Sequence, residues 1–225
     1  VTGVQTCALP IFMAMRRDPR SSDRFAEDVL ELQAFLGDES KVPTVIATPG
    51  KGTNVPLYVL GSSLFGAQLA AALGLPFAFA SHFAPQMLHQ ALHIYRDRFN
   101  PSAQLAEPYA MAAMGVICAE SDDDAQRQFQ RRRRMFVRHR FTNGGREITE
   151  EQVDQILASP NAAAIDEIFT YAAVGTPEVV ASRINEFRAS PGVDEVITSH
   201  YADTTAARVR SLELTAAAVG IAALS

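Results

Sequence analysis

The sequence predicts an α/β fold built around a parallel sheet. Short, wholly apolar strands alternate with longer helical patterns, which is typical of strands that are buried on both faces. Parallel neighbours need a crossover connection, and the intervening helices supply it. The 225 residues, 48% of them hydrophobic, are enough to bury a sizeable core. A doubly wound sheet and a (β/α) barrel both fit this order of elements.

The first predicted element is an amphipathic helix whose start can be capped by Ser22. Apolar residues recur at helical spacing from Phe25 to Leu36, and Gly37 stands where helices commonly end. Residues 41–56 contain three prolines and two glycines with little periodicity. This composition predicts a loop that leads into the first strand.

Two strand–loop–helix units follow the loop. Residues 57–60 form a predicted strand, and a Gly/Ser turn separates it from an Ala/Leu-rich helix that ends near Leu73. Residues 77–80 form a second short strand, followed by a loop and a helix over residues 86–99. The repeated order favours a parallel sheet.

A third, longer strand and its helix come next. Residues 109–119 form an apolar run with β-branched residues towards its end. Ser121, with Asp124 three positions later, predicts the capped start of a helix that extends to Arg140.

The remainder of the chain holds a predicted helical insertion and one more strand. Thr149 and Gln152 form a second capping pattern, which opens short helices as far as Tyr171. We interpret them as an insertion that covers one end of the fold. The last predicted elements, in order, are a helix over 176–189, a strand over 193–199 and a helix over 204–218.

Composition restricts the class of partner. A net charge of -5 gives no overall attraction to nucleic-acid backbones or anionic lipid, so small molecules are the expected partners, with no nucleic acid and no membrane. Cys7 and Cys118 form neither a metal-ligand pattern nor a disulfide framework, so we expect no metal and a cytoplasmic location.

The first twelve residues, 1–12, predict a non-native leader. They lack an initiator Met and a clear period, and they resemble translated sequencing-adaptor read-through. We therefore expect residues 13–225 to be a single domain whose N-terminal part is missing.

The Gly/Ser turn after the first strand is the strongest candidate site. Gly61 permits a close approach to the backbone, and Ser62 and Ser63 offer hydroxyl donors at the start of a helix. Free N–H groups and the positive end of the helix dipole can hold a phosphate. The turn predicts a phosphorylated cofactor, and a plain capped strand-to-helix turn is the alternative.

Histidines after strand ends are the next candidates. Ser81 and His82 follow the second strand directly, where parallel-barrel enzymes build their active sites. His200 has the same placement after the last strand. For each histidine, a loop residue satisfied by the backbone is the alternative.

Two further patterns favour a surface interpretation. His89 and His93 lie one helical turn apart, a spacing that can hold a metal, but no third ligand accompanies them. The run Arg131–Arg134 follows three aspartates at the start of the same helix, so charge complements the helix dipole. We interpret the arginines as a solvated face.

The residues now indicate a family. The chain resembles the luciferase-like flavin-dependent monooxygenases, most closely the bacterial luciferase-like class of oxidoreductases, over nearly everything after Phe12. The resemblance implies a TIM-type barrel that uses reduced FMN and dioxygen. Because the sequence shows four strands, it implies here a partial (β/α)8 barrel, the C-terminal half with a helical insertion. The segments that carry the resemblance are Val59–Ser63, Ala70–Pro76, Phe77–Phe83, Tyr95–Phe99, Val174–Glu178, Gly192–Glu195 and Arg210–Leu214.

The resemblance also implies a distribution of roles. It maps the flavin-phosphate site onto Gly61, Ser62, Ser63 and Gly66, and it leaves the catalytic residue unknown, with Ser81 and His82 as pocket candidates. A flavin reductase would supply reduced FMN, the substrate is an unidentified small organic molecule, and a homo-oligomer is expected. A deazaflavin-type cofactor stays open beside FMN.

Two alternatives to an active enzyme remain at this point. The family's first strands have no counterpart here, so the chain is either a catalyst, an inactive barrel fragment or a non-catalytic flavin- or phosphate-binding module. A half-barrel would expose strand edges and an apolar inner face.

Overall fold

The computed structural model describes residues 23–38, 45–142 and 147–221, in two compact units. The first unit ends at Leu57 and the second begins at Tyr58. The predicted leader over residues 1–12 and the capping role of Ser22 lie outside the described residues, so both stay predictions. The expectation of a single domain over 13–225 also stays a prediction.

The first unit is a helix followed by a returning loop. Helix α1 (Phe25–Leu36) ends at Gly37, whose N–H donates to the Gln33 carbonyl oxygen over 3.0 Å. The loop comes back against this end, since the Asn54 N–H donates to the Leu36 carbonyl oxygen over 2.9 Å. The periodicity of the sequence therefore gave the correct bounds for the helix and its stop signal.

The second unit alternates strands and helices as the sequence predicts. A short 3₁₀ helix, Pro85–Met87, leads into the α-helix that begins at Leu88. In chain order the elements are β1 (Val59–Gly61), α2 (Leu64–Leu73), β2 (Phe77–Phe79), α3 (Leu88–Asp97), β3 (Ala110–Cys118), α4 (Asp122–Phe141), α5 (Glu150–Leu157), α6 (Asn161–Ile168), β4 (Ala172–Gly175), α7 (Pro177–Arg188), β5 (Glu195–His200) and α8 (Thr205–Ala218).

Strand β3 is the centre of a parallel five-stranded sheet. The strands run β1-β2-β3-β4, and β5 also pairs with β3. Residues 110–112 of β3 face β2, residues 115–118 face β4 and residues 111–116 face β5. The residues of β3 that pair with β5 overlap those that pair with β2 and those that pair with β4. Strand β5 therefore lies on one edge of β3, and β2 and β4 lie along the opposite edge. The parallel α/β class is confirmed.

Strand β4 is one that the sequence analysis missed. Its four residues, Ala172–Gly175, contain two alanines, a glycine and a single β-branched residue, so local β propensity is low. The strand forms because it continues the edge of β3 beyond the end of β2. Pairing with a long neighbour decides the structure here, and propensity does not.

The capping patterns predicted at Ser121 and Thr149 are confirmed. Ser121 Oγ accepts a hydrogen bond from the Asp124 N–H over 3.3 Å at the start of α4. Thr149 and Gln152 form the full capping box at the start of α5. Helices α5 and α6 pack on α4 through a cluster of buried residues: Val137, Val153, Ile165 and Phe169.

None of the helices in the described ranges combines the length and the apolar character needed to span a bilayer.

Candidate functional site at the carboxyl edge of the sheet

The predicted site residues converge because the strands are parallel. β1 ends at Gly61 and β2 at Phe79, and the Ala80 N–H donates to the Gly61 carbonyl oxygen over 2.9 Å. This bond brings the loop that carries His82 alongside the Gly/Ser turn. The carboxyl edge of a parallel sheet is where ligands bind in this class of fold.

The Gly/Ser turn leaves donors uncommitted at the start of α2. Ser63 is the N-cap, in an extended conformation, and its side chain makes no capping hydrogen bond. The first turn of α2 carries no acidic residue. Its N–H groups therefore have neither a capping oxygen nor a carboxylate beside them, which suits an anion.

The helices that follow β3, β4 and β5 are arranged differently. Ser121 caps α4, and three aspartates stand in its first turn. Thr204 Oγ1 accepts from the Ala207 N–H at the start of α8. Glu178 occupies the first turn of α7, and hydrogen bonds from its own N–H and from Thr176 lower the pKa of its carboxyl. The start of α2, like that of α3, contains none of these acidic residues or side-chain caps.

A buried ring supports the turn from below. The ring of Phe77 is fully buried, and its Cε2 would lie 3.5 Å from a Cβ placed on Gly66 and 4.0 Å from one placed on Gly61. A Cβ on Gly61 would lie 3.6 Å from Gly66 Cα. These are ordinary van der Waals distances, so the ring of Phe77 packs directly against the turn and the start of α2.

Ser81 has a structural role in this arrangement. Its side chain is buried, and Oγ donates to the Ala113 carbonyl oxygen over 2.5 Å. Ala113 lies on β3 beyond the part that pairs with β2. The hydroxyl thus ties the end of β2 to the central strand, and it is not directed to a ligand.

His82 is half-buried and keeps an uncommitted ring atom. Its Nδ1 is buried and has no hydrogen-bond partner among the described residues. Burial, and secondarily the positive charge of Arg132, lowers the pKa of His82 below its ordinary value of 6.5. The imidazole is therefore neutral at pH 7, as a donor or acceptor to a ligand would be.

The arginine run is not the uniformly solvated face that the sequence analysis expected. Arg131 pairs with Asp203, and Arg134 with Glu150 and Asp154. A second group, Arg132 and Arg133, lies closer to the body of the unit, because consecutive helical residues are turned by about 100° from one another.

The two inward arginines differ in their partners. Arg133 Nη2 lies 2.6 Å from Asp166 Oδ1, and its side chain is only 15% exposed. Arg132 has no carboxylate partner among the described residues, and its guanidinium carbon lies 4.5 Å from the centroid of the Tyr201 ring. Sequence reasoning did not select Arg132, since the choice depends on the rotation of α4 against the sheet.

The guanidinium group of Arg132 packs on the aromatic ring of Tyr201. A Cβ on Gly115 would fall 2.1 Å from Tyr201 Cε2, so the ring is stacked directly on the glycine of β3. Its centroid is 6.5 Å from that of Phe169 in an edge-on arrangement. The absence of a side chain at Gly115 creates the space for this ring.

His200 has a different environment from the one expected. Its Nδ1 lies 2.7 Å from Ser211 Oγ, which also accepts a hydrogen bond from the Cys118 N–H over 2.9 Å. Which of these two groups donates depends on the tautomer of the ring, and Nε2 is buried without a partner among the described residues. Burial lowers the pKa of His200, so its role is to join β5 to α8 in the neutral form.

His89 and His93 are both exposed, as expected for a surface pair. His89 Nε2 lies 3.2 Å from the hydroxyl of Tyr171. No cluster of three or more potential metal ligands occurs in the part of the chain that the structure describes.

The two neutral histidines predict lower stability in acid. The pKa values of His82 and His200 are depressed in the folded state, so the unfolded state binds more protons once the pH falls below the ordinary value of 6.5. Their stabilising contribution is complete above that value and decreases as the pH falls through it. Urea unfolding at about pH 7.5 and about pH 5.5 should give a smaller free energy at the lower pH.

A histidine control separates this effect from general acid sensitivity. His200→Gln should flatten the pH dependence of the unfolding free energy, whereas His93→Gln, at an exposed position, should leave it unchanged. Equal slopes in the two variants would contradict the assignment of a buried neutral His200.

Sequence comparison agrees with the resemblance. A profile of the family described as luciferase-like monooxygenase matches residues 25–195. A luciferase-like monooxygenase of Escherichia coli strain K12 is 38% identical over 204 residues, which is 90% of this chain and 61% of that protein. The uncharacterized protein YvbT of Bacillus subtilis is 36% identical over 205 residues, with the same coverage of 90% and 61%. The chain thus spans 61% of the length of these curated relatives.

Solved structures resemble the chain in fold. The crystal structure of apo-MsnO8 has a TM-score of 0.76 at 28% identity and covers 96% of this chain and 66% of its own. Monooxygenase RslO1 from Streptomyces bottropensis has a TM-score of 0.59 at 19% identity, covering 93% and 64%. The coenzyme F420-dependent tetrahydromethanopterin reductase of Methanopyrus kandleri has a TM-score of 0.55 at 15% identity, covering 88% and 62%. The last two likenesses concern the fold alone.

Proposed function

Since the chain belongs to the luciferase-like monooxygenase family, we propose that it is the C-terminal part of a (β/α)8 enzyme that uses reduced FMN. Reduced flavin supplies the electrons that activate dioxygen, and the product is an oxidised small organic molecule. The described parallel sheet, with its insertion of α5 and α6, is compatible with part of such a barrel. The proposal rests on one observation above all, the uncapped start of α2 directly after the turn Gly61, Ser62 and Ser63.

The residues present fit the phosphate of a flavin. Ser63 Oγ makes no capping bond, and no carboxylate occupies the first turn of α2. Ser62 adds a second hydroxyl, and Gly61 and Gly66 keep side chains out of the turn. These four residues would hold the phosphate by N–H and O–H donors, without a charged side chain.

The other residues at this edge would position a ligand and exclude water. His82 presents a neutral ring with an uncommitted Nδ1, which can donate to or accept from a bound molecule according to its tautomer. The Tyr201 ring, which packs on Gly115, would provide an apolar surface for the ligand. Ser81 holds the loop that carries His82 against β3.

The remaining parts of the proposal concern partners and location. A separate flavin reductase would supply the reduced cofactor, as the resemblance to the family implies. We further propose a homo-oligomer in the cytoplasm. A deazaflavin of the F420 type is the competing cofactor, and the fold relationship with an F420-dependent reductase makes it the appropriate comparison.

Oxygen consumption tests the proposed function. Purified chain is mixed with FMN, NADH, a flavin reductase and a panel of small organic substrates, and oxygen uptake above the reductase background is measured. Turnover with product formation supports the enzyme. FMN binding without turnover supports a flavin-binding module. The absence of both binding and turnover supports an inactive fragment. Of these two alternatives, the 61% coverage of the relatives favours the fragment.

Ser63→Ala tests the phosphate site. The loss of one donor to a charged oxygen should weaken FMN by about 10-fold and leave riboflavin, which has no phosphate, nearly unchanged. Quenching of flavin fluorescence gives both dissociation constants.

Ser121→Ala is the matched control, because Ser121 is the N-cap of α4 and its side chain makes the usual capping bond. It should cost about 1 kcal/mol of stability and leave the ratio of the two dissociation constants intact. An equal loss of FMN and riboflavin in Ser63→Ala would contradict a phosphate role.

A further inference from the structure

Arg132, near the carboxyl edge of the sheet, is a cation for which the described residues provide no carboxylate partner. Its three neighbours in the run each pair with a carboxylate: Arg131 with Asp203, Arg133 with Asp166, and Arg134 with Glu150 and Asp154. Arg132 makes no ion pair or hydrogen bond with any described residue. Its guanidinium group stacks on the ring of Tyr201, and its positive charge lowers the pKa of His82.

The guanidinium group is placed to receive a ligand from solvent. Nε is buried and has no partner among the described residues, whereas the residue as a whole is partly exposed to solvent. One edge of the group therefore faces the interior and the other reaches the surface. A cation in this position is costly to leave unpaired, and stacking on an aromatic ring offsets only part of the cost.

The neighbours indicate what kind of anion fits. The Tyr201 ring supplies an apolar surface directly beside the charge. His82 is neutral and has an uncommitted Nδ1, so it adds a hydrogen-bonding group without adding a second charge. The planar guanidinium matches the two oxygens of a carboxylate. A chain of net charge -5 is poorly suited to a large polyanion.

We propose that Arg132 is a specificity-determining residue that binds the carboxylate of an organic acid substrate, with the apolar part of the substrate against Tyr201. The proposal rests on the proposed function, because it places the substrate of that same site. In this proposal Arg132 binds the carboxylate of the substrate, whereas the phosphate of the cofactor binds at the turn that follows β1.

The test compares two probes of the same shape and different charge, benzoate and benzamide. Saturation-transfer NMR measures their dissociation constants with the wild-type chain and with Arg132→Gln, Arg132→Lys and Arg131→Gln. We expect the wild type to prefer benzoate by about 10-fold or more, as for a charge-assisted hydrogen bond. Arg132→Gln should abolish the preference, Arg132→Lys should retain part of it and Arg131→Gln should retain all of it.

Three results would overturn the proposal. The first is equal binding of the two probes by the wild type, and the second is an equal loss of preference in Arg131→Gln, which would indicate a general charge effect. The third is a loss of discrimination between FMN and riboflavin in Arg132→Gln, which would assign the guanidinium to the cofactor phosphate.

The same measurements separate this proposal from the proposed function. If the wild type binds neither FMN nor F420 but prefers benzoate through Arg132, the flavin function fails and the carboxylate site stands. If the chain binds FMN but binds benzoate and benzamide equally, only the proposed carboxylate site is contradicted. Thermal unfolding of each variant identifies any loss that comes from misfolding.

Discussion

Phe77→Ala is expected to lower the free energy of unfolding by about 3–5 kcal/mol, the usual cost of removing a large buried ring. Phe77 is fully buried, and its ring centroid lies 5.4 Å from that of Tyr95 and 6.0 Å from that of Phe79. The same ring lies beneath Gly61 and Gly66. Its loss should therefore also weaken FMN. Urea unfolding followed by circular dichroism measures the stability, and flavin fluorescence measures the binding.

Two variants control for this result. Phe141→Ala removes a phenylalanine that is 42% exposed at the end of α4, and it should change the unfolding free energy by less than about 0.5 kcal/mol. Phe77→Leu refills most of the cavity and should recover a large part of both stability and FMN affinity. Similar losses in Phe77→Ala and Phe141→Ala would show that the ring does not support the core.

Gly115→Ala is expected to cost about 3 kcal/mol by overpacking. The new Cβ would fall 2.1 Å from Cε2 of Tyr201 and 2.6 Å from its Cζ, so the ring must leave its place. Displacement of the ring would also remove the surface on which Arg132 stacks. Unfolding experiments and tyrosine circular dichroism in the near ultraviolet measure the two effects.

A double-mutant cycle tests the mechanism of this loss. In a Tyr201→Ala background the clash is absent, so Gly115→Ala should cost about 2 kcal/mol less than it does in the wild type. Additive effects of the two substitutions would mean that the cost at Gly115 does not arise from the ring.

Local sequence signals predicted those parts of the fold that depend on neighbours in the chain. The caps at Ser121 and Thr149 involve residues three positions apart, and the structure contains both. The turn at Gly61 likewise follows from a short apolar strand and a helix start. Each of these features needs only a few consecutive residues, so their chemistry is visible in the sequence.

Those local signals could not predict which strands pair when the strands are distant in the chain. Strand β4 has little β propensity of its own and forms on the edge of β3. Strand β5 pairs with β3 over six positions, more than 80 residues away in the chain, and no local pattern specifies that partner. The parallel class could be predicted, whereas the strand order could not.

In the candidate site, too, some features could be predicted from the sequence and others depend on packing between distant segments. The position of His82 after a strand end was predictable, because parallel strands end at one edge. The selection of Arg132 from four consecutive arginines was not, because it depends on how α4 packs and on the space above Gly115. Ser81 resembles a ligand-binding residue in the sequence, yet its hydroxyl is used by the Ala113 carbonyl group.

The affinity of the wild-type chain for FMN relative to riboflavin tests the central claim most directly. The two molecules differ by the phosphate that the turn at Gly61, Ser62 and Ser63 would hold, and the start of α2 carries no competing anion. The account predicts that FMN binds at least about 10-fold more tightly than riboflavin, and that inorganic phosphate competes with FMN alone. Equal dissociation constants for the two flavins would contradict it.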